Sequence, residues 1–293
     1  MDTILLFVSA ALFAMYSVAT KFIPAGNLRL NMLVVAAFSV PSFLVFFIMA
    51  LAEGGTLSGV TVLCGALWGS VCVVTEITYF LAMQSGPLSY TSFIFSASMV
   101  IPTLSGAVIW QETIAPLQWL GIVLFLLAFY LICIPGAQGS GKIKKSWLPL
   151  CLVAFFSNGL LALFIKAQQI ELAGGESSAM MAVAFGSCGL VAFLAFAVTT
   201  LLQREKLFAP EIRSGMKKAL LPILGIAVSN GTGNGFVTYL SSRVPGALMY
   251  PCILGGSMLL VTLFSAVGLR EKVNRWGWLG LGVGLAAMIV LNV

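Results

Sequence analysis

The sequence predicts an all-α membrane protein with ten transmembrane helices that form a 5+5 inverted repeat. Three observations predict it: the composition, the spacing of the charges and an internal duplication. Hydrophobic residues make up 60% of the 293 residues and charged residues 8%, against about 25% charged residues in soluble domains. So few charges cannot cover a water-exposed surface, which excludes a cytosolic enzyme, a secreted disulfide scaffold and a disordered tail protein.

The charge-free gaps set the predicted spans. Most gaps hold 18 to 29 residues, and about 20 apolar residues cross a hydrocarbon core of about 30 Å. The stretch from Leu57 to Gln111 is long enough for two spans, with Gly86-Pro87 as the break between them. The predicted spans are residues 3–22, 30–51, 57–85, 88–110, 116–135, 147–169, 177–202, 219–241, 246–268 and 275–292. They do not alternate polar and apolar residues, as β-barrel strands would.

Lys and Arg gather in alternate loops. Loops after the odd-numbered spans hold 13 of them, and loops after the even-numbered spans hold 2, Lys166 and Arg243. The positive-inside rule then puts the basic loops in the cytoplasm and both termini outside. Asp2 and the absence of Lys or Arg ahead of the first apolar run indicate a span and not a cleaved signal peptide. The expected location is a cell membrane crossed many times, the inner or plasma membrane of a bacterium.

The net charge of +6 is explained by this bias and by anionic lipid headgroups, so we expect the lipid bilayer as a partner and no nucleic acid. The six cysteines all fall inside predicted spans and form no CxxC pair: Cys64, Cys72, Cys133, Cys151, Cys188 and Cys252. We interpret them as small buried hydrophobes. Because the chain has no histidine and its acids are scattered, we expect no metal site, no cofactor and no enzyme activity.

The two halves of the chain repeat. Comparison of residues 94–128 with 253–287, at a shift of 159, gives 13 identities in 35 positions. Shared apolar composition does not readily align Glu112 with Glu271, Trp119 with Trp278 and Gly121 with Gly280. The sequence therefore predicts two five-span repeats, residues 1–138 and 139–293. We interpret the paired loop acids Glu112 and Glu271 as turn and cap residues.

Because five is an odd number, the second repeat must enter the membrane with the opposite topology. Inverted repeats are a common device of transporters, with the site between the halves near the middle of the bilayer. We therefore predict alternating access of a small-molecule solute. The sequence leaves a non-transporting membrane scaffold or receptor as the alternative.

Motifs near the end of each half carry a resemblance to a known family. The first is Ala82-Met83-Gln84, Ser98, Pro102, Glu112 and Trp119-Leu120-Gly121; the second is Met258, Glu271 and Trp278-Leu279-Gly280. The chain resembles EamA-type, ten-helix members of the drug/metabolite transporter superfamily over essentially its whole length. The resemblance implies a secondary transporter of small metabolites such as amino acids, sugars, amines or drugs. It also implies a central cavity lined by spans 1, 3, 4, 6, 8 and 9, with spans 5 and 10 at the periphery.

The resemblance leaves the orientation open. Many relatives carry basic residues after the second and the last span, which implies cytoplasmic termini, and those places have none here. Neither the direction of transport nor the coupling ion follows from the sequence.

Glu76 is the main candidate for a functional residue. It lies inside the third predicted span, where an ionised group costs at least about 2.5–3.5 kcal/mol. We expect it to face the interior, and to be protonated or to have a partner. It is therefore a candidate for proton coupling or for binding a cation; a structural hydrogen bond to a neighbouring helix is the alternative.

Other polar and aromatic residues are candidates for substrate binding. Trp68, Cys72 and Tyr79 share a helical stripe with Glu76, and aromatic rings beside a carboxylate suit a cation, although ordinary helix packing is the better explanation of the stripe taken alone. Asn230 and Asn234 share a face within a Gly-rich run, which can free backbone carbonyls or allow close helix contact. Further candidates are Asn158, Tyr16, Ser17, Gln84, Tyr250 and Ser257.

Two further groups have structural interpretations. Lys21 and Lys166 lie near the ends of spans, and we expect their ammonium groups to snorkel to the interface. Small residues form one face of the last span, Gly277, Gly280, Gly282 and Gly284. That face either packs inside the chain or forms a homodimer contact.

Overall fold

The structure, a computed structural model, describes residues 2–24, 27–111, 115–131, 144–207, 209–270 and 274–291, and no strand occurs among them. The described residues fold into helices joined by short turns. The helices are α1 Asp2–Lys21, α2 Leu28–Ala52, α3 Gly59–Met83, α4 Leu88–Ala97, α5 Val100–Ile109, α6 Pro116–Leu131, α7 Trp147–Glu171, α8 Ser177–Leu202, α9 Pro210–Ser241, α10 Gly246–Tyr250, α11 Gly256–Val267 and α12 Arg275–Leu291; a π-helical segment, Pro251–Gly255, joins α10 to α11.

Eight helical stretches in the described part of the chain are long and apolar enough to cross a membrane. They coincide with eight of the predicted spans, although α9 begins at Pro210 instead of at 219. The predicted spans 116–135 and 275–292 correspond to helices of 16 and 17 residues, α6 and α12. Glu112, Cys133 and Glu271 lie outside the described residues.

The fourth and ninth predicted spans are interrupted helices. Between α4 and α5, the Ser98 and Met99 N–H groups bond to carbonyls only three residues back, at 3.2 Å each. Pro102, four residues after Ser98, has no N–H with which to continue the α-helical ladder there. Pro251 likewise lacks an N–H, and the chain passes through the π-helical segment before α11 begins.

The helices pack in a pattern that pairs the two halves of the chain. α2 packs on α8 and α6 on α12. α3 packs on both α7 and α8, and α9 packs on both α1 and α2. The interrupted helices face each other through α4 and α11. The core is thus formed mainly by contacts between halves.

Polar clamps fix both ends of the α2–α8 pair. At one end, Arg29 donates through Nε to Thr200 Oγ1 (3.0 Å) and forms an ion pair with Glu205. At the other end, Ser178 Oγ donates to Glu53 Oε1 (2.7 Å). We call the end with Arg29, at which α1, α3 and α8 also end, the basic face, and the other end the opposite face.

Glycines allow the closest helix contacts. A Cβ on Gly69 of α3 would lie 2.0 Å from Ser187 Oγ and 2.4 Å from the Ala184 carbonyl oxygen of α8. In α12, Gly277, Gly280 and Gly284 are buried, and a Cβ on Gly284 would meet Phe93 at 2.9 Å. Most of the small-residue face of α12 is therefore used inside the chain.

Candidate functional site

A cavity lies between the two halves of the chain. Its volume is about 50 Å³, and about 640 Å³ when all the open space up to its mouth is counted. The helices that line it are α1, α3, α4, α5, α7, α9, α10 and the π-helical segment. The lining residues are Phe13, Tyr16, Trp68, Cys72, Glu76, Phe95, Ser98, Met99, Pro102, Asn158, Gly159, Leu161, Ala162, Ile165, Asn230, Asn234, Val237, Tyr250, Ile253 and Leu254.

Glu76 is the acidic group of this cavity. Its side chain, only 4% exposed, accepts two hydrogen bonds from neutral donors. Tyr16 Oη of α1 donates to Oε2 (2.7 Å), and Asn230 Nδ2 of α9 donates to Oε1 (3.1 Å). No Lys or Arg occurs among the described residues that line the cavity. The carboxyl group therefore bridges the two halves within a shell of neutral donors.

Asn234 sets the orientation of the Asn230 amide. Asn234 Nδ2 donates to Asn230 Oδ1 (2.6 Å) and to the Asn230 carbonyl oxygen (2.9 Å). With its oxygen engaged in this way, Asn230 presents its NH2 group to Glu76. The two asparagines lie one helical turn apart and both line the cavity, as their spacing predicts.

The glycines around these asparagines serve packing. α9 continues as an unbroken helix through residues 229–235, so the run does not open the helix. A Cβ on Gly231 would lie 2.7 Å from Ser42 Oγ, one on Gly233 3.2 Å from Phe13, and one on Gly235 2.7 Å from Phe46. Close helix contact is thus the better of the two interpretations of this run.

Tyr79 lies directly behind the cavity wall. It is fully buried, stacks on Tyr16 at a centroid distance of 5.7 Å and on Phe95 at 4.1 Å, and its hydroxyl donates to Ser17 Oγ (2.9 Å). The other seven predicted site residues line the cavity: Glu76, Trp68, Asn158, Asn230, Asn234, Tyr16 and Tyr250. Tyr79 therefore supports the ring of Tyr16 instead of facing the cavity.

The two interrupted helices meet α7 at the cavity. Asn158 Nδ2 of α7 donates to Ser98 Oγ (2.7 Å) at the α4–α5 break. Tyr250, the last residue of α10, donates through its hydroxyl to the Ala162 carbonyl oxygen of α7 (3.3 Å). Breaks of this kind near a cavity are typical of transporter binding sites.

Lys166 is placed differently from our expectation. Its side chain is 2% exposed and does not snorkel: Nζ lies 4.8 Å from the centroid of the Trp110 ring, beside the cavity residue Ile165. The ring and the closed helix packing around it hold the ammonium group inside the protein. The sequence position near a helix end did not reveal this burial.

Sequence reasoning missed a polar cluster at the opposite face. Glu176 Oε2 accepts from Ser58 N (2.9 Å), Ser58 Oγ (2.9 Å) and Thr61 Oγ1 (2.5 Å), so it caps the start of α3. These hydrogen bonds, that of Thr61 first, lower the pKa of the Glu176 carboxyl from its ordinary value. Gln168 Nε2 also donates to Thr61 Oγ1 (2.9 Å). Phe13 and Phe95, which line the cavity, carry no polar signal that could have distinguished them from other core residues.

Metal-ligating residues do not cluster in the described part of the chain: no group of three or more His, Cys, Asp or Glu residues could hold an ion there. Cys72 lines the cavity next to Glu76, and the other described cysteines lie elsewhere in the helices.

Comparison with known proteins agrees with this architecture. A solved crystal structure of a protein superposes with a TM-score of 0.68 at 17% identity and covers 99% of this chain and 95% of that one. This similarity shows the fold alone. An uncharacterised protein of Haemophilus influenzae is 20% identical over 199 residues, which is 66% of this chain. The chain spans 62% of the length of that relative.

The family comparison is more specific. The model of the EamA-like transporter family matches residues 2–134, which include Glu76, Tyr16, Trp68 and both parts of the interrupted fourth helix. Together with the eight long apolar helices in the described part of the chain, the match indicates an integral membrane protein. The first half of the chain therefore matches the EamA-like transporter family, in agreement with the resemblance of its sequence motifs.

Proposed function

We propose that the chain is a secondary transporter that moves a small organic solute by alternating access. In this proposal residues 1–138 and 139–293 form two inverted five-span halves in a cell membrane, with the basic loops in the cytoplasm. The solute binds in the central cavity, and Glu76 binds the coupling proton or a cationic group of the solute. Neither a cofactor nor a nucleic acid takes part.

The pattern of helix contacts supports the inverted repeat. If the two halves exchange places, α1 takes the place of α7, α2 of α8, α3 of α9 and α6 of α12. The α3–α7 contact then becomes α9–α1, and the α3–α8 contact becomes α9–α2; all four contacts are present. The α2–α8 and α6–α12 contacts map onto themselves. This is the pattern that a pseudo-two-fold axis between the halves produces.

The proposal counts α6 and α12 as the fifth and tenth spans. At 16 and 17 residues they are about 24 and 26 Å long, somewhat shorter than a hydrocarbon core of about 30 Å. They pack on each other at the periphery and contribute no residue to the cavity lining. That placement suits a structural role beside the helices that move during the proposed transport.

The observation that carries the proposal is the placement of Glu76. A carboxyl group in a membrane span is costly and persists where it has a function. Here it lies in a cavity between the halves, and its hydrogen-bond donors Tyr16 and Asn230 come from different halves. Neutral donors do not balance a negative charge. A proton or a cationic solute group is the species that would balance it.

The aromatic lining supports a solute with a cationic or apolar part. Tyr16, Trp68, Phe95 and Tyr250 surround the cavity together with Phe13, and aromatic faces attract cations at distances up to about 6 Å. Asn158 and Asn234 offer polar contacts on two sides of the same space. The cavity is complete within one chain, so the proposed transport does not require a homodimer.

The proposal is tested by ligand-dependent stability. The purified protein and its Glu76→Gln variant are screened in detergent against a metabolite library by thermal shift, with Glu171→Gln as the matched control at an exposed acid. A ligand at 100 times its Kd stabilises the wild type by about 2.7 kcal/mol. We expect hits with wild type and Glu171→Gln that weaken or vanish with Glu76→Gln. Equal shifts in all three proteins would refute the role of Glu76.

A further inference from the structure

Lys21, the last residue of α1, ties that helix to the turn between α3 and α4. Its Nζ donates to the Met83 carbonyl oxygen (3.0 Å) and to the Gly86 carbonyl oxygen (2.8 Å). Both acceptors lie at the C-terminal end of α3, where carbonyl groups lack helical partners and the helix dipole favours a cation. Lys21 thus holds α1 and α3, both of which line the cavity, together at the basic face.

The second half of the chain closes on the same turn. Lys144 N donates to the Ser85 carbonyl oxygen (3.2 Å), and Trp147, the first residue of α7, donates through Nε1 to Thr91 Oγ1 (2.9 Å). The Trp147 indole lies so close that a Cβ on Gly86 would be 2.4 Å from it. The turn is therefore held from one side by the first half and from the other by the second.

The cavity lies on the other side of this closure. Two of its lining residues in the second half lie near the opposite face: Tyr250 is four residues from the start of α10, and Val237 four residues from the end of α9. Towards the basic face, Tyr16 and Phe95 line the cavity, and Tyr79 lies behind them. The cavity is thus closed towards the basic face by one aromatic layer and, beyond that layer, by the α3–α4 turn that Lys21 holds.

Lys166 occupies the equivalent place in the second half. A shift of 145 pairs Lys21 with Lys166, and it pairs the cavity residues Phe13 and Tyr16 of α1 with Asn158 and Leu161 of α7. The turn between α9 and α10 ends at Gly246, the first residue of α10, and a Cβ there would lie 2.9 Å from Lys166 Nζ. Each half thus places a lysine at the turn between its third and fourth spans, at opposite faces.

The two turns differ in one respect. The same shift of 145 pairs Trp147 with Asp2, so the opposite face has no indole where the basic face has one. Lys166 instead lies over the Trp110 ring, beyond the end of α5. The two closures therefore differ in their aromatic partner: Trp147 lies against the turn at the basic face, and Trp110 lies against Lys166 at the opposite face.

We propose that Lys21 and Lys166 are paired latches of the two gates, and that the structure is the state in which the Lys21 latch is closed. Lys21, with Trp147 against the turn, keeps the cavity shut towards the basic face. When the transporter reverses, the Lys21 latch opens. The inference rests on the proposed alternating access and names two residues that do not contact the solute.

Cys72 provides the reporter that tests it. It lines the cavity, so a variant in which the other five cysteines are replaced by alanine has one thiol at the site. Vesicles of either orientation are treated with a small, membrane-impermeant, cationic methanethiosulfonate, and the labelling rate of Cys72 is measured from each face. Variants Lys21→Met and Lys166→Met are compared, with Lys21→Arg as the variant that keeps the charge and its donors.

The starting protein should label from the opposite face and slowly from the basic face. Lys21→Met should raise labelling from the basic face on the order of ten-fold, the shift in population that loss of one charged hydrogen bond produces. Lys166→Met should not raise it, and Lys21→Arg should resemble the starting protein. Trp147→Phe removes the donor to Thr91 and places a smaller ring against Gly86. It should give an increase smaller than that of Lys21→Met, and it replaces that variant if Lys21→Met does not fold.

Three results would overturn the latch. They are an unchanged rate from the basic face in Lys21→Met and Trp147→Phe, an equal rise in Lys166→Met, or labelling of the starting protein from the basic face alone. The readout needs no solute. If Lys21→Met shifts the labelling but the protein transports no solute, the proposed function is refuted and the latch stands. If the protein transports solute but Lys21→Met leaves the labelling unchanged, the latch is refuted and the proposed function stands.

Discussion

The hydroxyl of Tyr16 donates a 2.7 Å hydrogen bond to Oε2 of Glu76, and both residues line the same cavity. The pair joins the first span to the third, and Asn230 extends the contact to α9 in the second half. Because each donor is neutral, the pair holds the carboxyl in place and leaves its charge unbalanced.

Tyr16→Phe should destabilise the protein without disturbing its shape. The variant keeps the ring that stacks on Tyr79 and removes the donor to Glu76. Loss of a hydrogen bond to a buried carboxyl should lower the free energy of unfolding by about 1–3 kcal/mol. Thermal unfolding in detergent measures it. The control is Tyr130→Phe, at a tyrosine that is 54% exposed; equal melting temperatures in the two variants would contradict the prediction.

Asn230→Asp should make stability fall as the pH rises. The new carboxyl would face Glu76 across the 3.1 Å contact that the amide makes now. As the pH rises from about 5 to about 8, the proton that the two groups can share becomes easier to lose, and two carboxylates repel each other. The melting temperature relative to wild type should therefore decrease over this range.

The matched control for that variant is Asn274→Asp. Asn274 Oδ1 accepts from Gly277 N (2.7 Å) at the start of α12, a position where Asp and Asn are equally suitable caps. Its melting temperature should follow that of wild type at every pH. A flat pH profile for Asn230→Asp would show that the amide does not face Glu76.

Glu176→Gln should destabilise the protein at neutral pH and not in acid. Hydrogen bonds from Thr61 and Ser58 lower the pKa of the Glu176 carboxyl in the folded protein. The stabilisation is therefore present above the unfolded pKa of about 4.3 and is lost as the pH falls through the lower folded pKa. Because the carboxylate is open to solvent, the effect at pH 7 should be only roughly 0.5–1 kcal/mol.

Melting curves from neutral pH down to about pH 3 check this sign. Wild type and Glu176→Gln should converge at the acid end, and Glu171→Gln, at an exposed acid five residues earlier, should equal wild type throughout. A difference that grows towards acid would reverse the sign and contradict the cap on α3.

Gly69→Ala should disrupt the contact between α3 and α8. The added Cβ would lie 2.4 Å from the Ala184 carbonyl oxygen and 2.6 Å from the Cys188 N, both backbone atoms that cannot rotate away. We expect a loss of about 1–3 kcal/mol or failure to fold. Gly282→Ala is the control, since nothing lies within 4 Å of its Cβ position, and it should be neutral or slightly stabilising by helix propensity. The melting temperatures of the two variants test this prediction.

Much of the fold could be predicted because lipid imposes simple rules on a sequence. Charge-free runs of about 20 residues have few alternatives to a spanning helix, so eight of the predicted spans coincide with long apolar helices. The interruptions at Ser98 and Pro251 were harder to foresee. A single proline or a short polar run leaves the hydropathy of a span intact, and only the packed structure shows which carbonyl lost its partner.

The site was predictable to the extent that polarity in a span is informative. Glu76, Asn158, Asn230 and Asn234 are costly in lipid, and all four line the cavity. The burial of Lys166 was not predicted because a lysine near a helix end can usually extend its side chain to water. The neighbouring sequence does not show that Trp110 covers it. Tyr79 lies behind the cavity because neighbouring residues on a helical stripe point in different directions. Glu76 therefore lines the cavity, whereas Tyr79 supports its wall.

The central claim is that a solute is driven through the cavity by a charge change at Glu76. The direct measurement is accumulation of a solute found by thermal shift, in proteoliposomes with an imposed proton gradient, for wild type and for Glu76→Gln. We predict that wild type concentrates the solute against its gradient and that Glu76→Gln does not. Equal accumulation by both proteins, or none by wild type under any ion gradient, would contradict the claim.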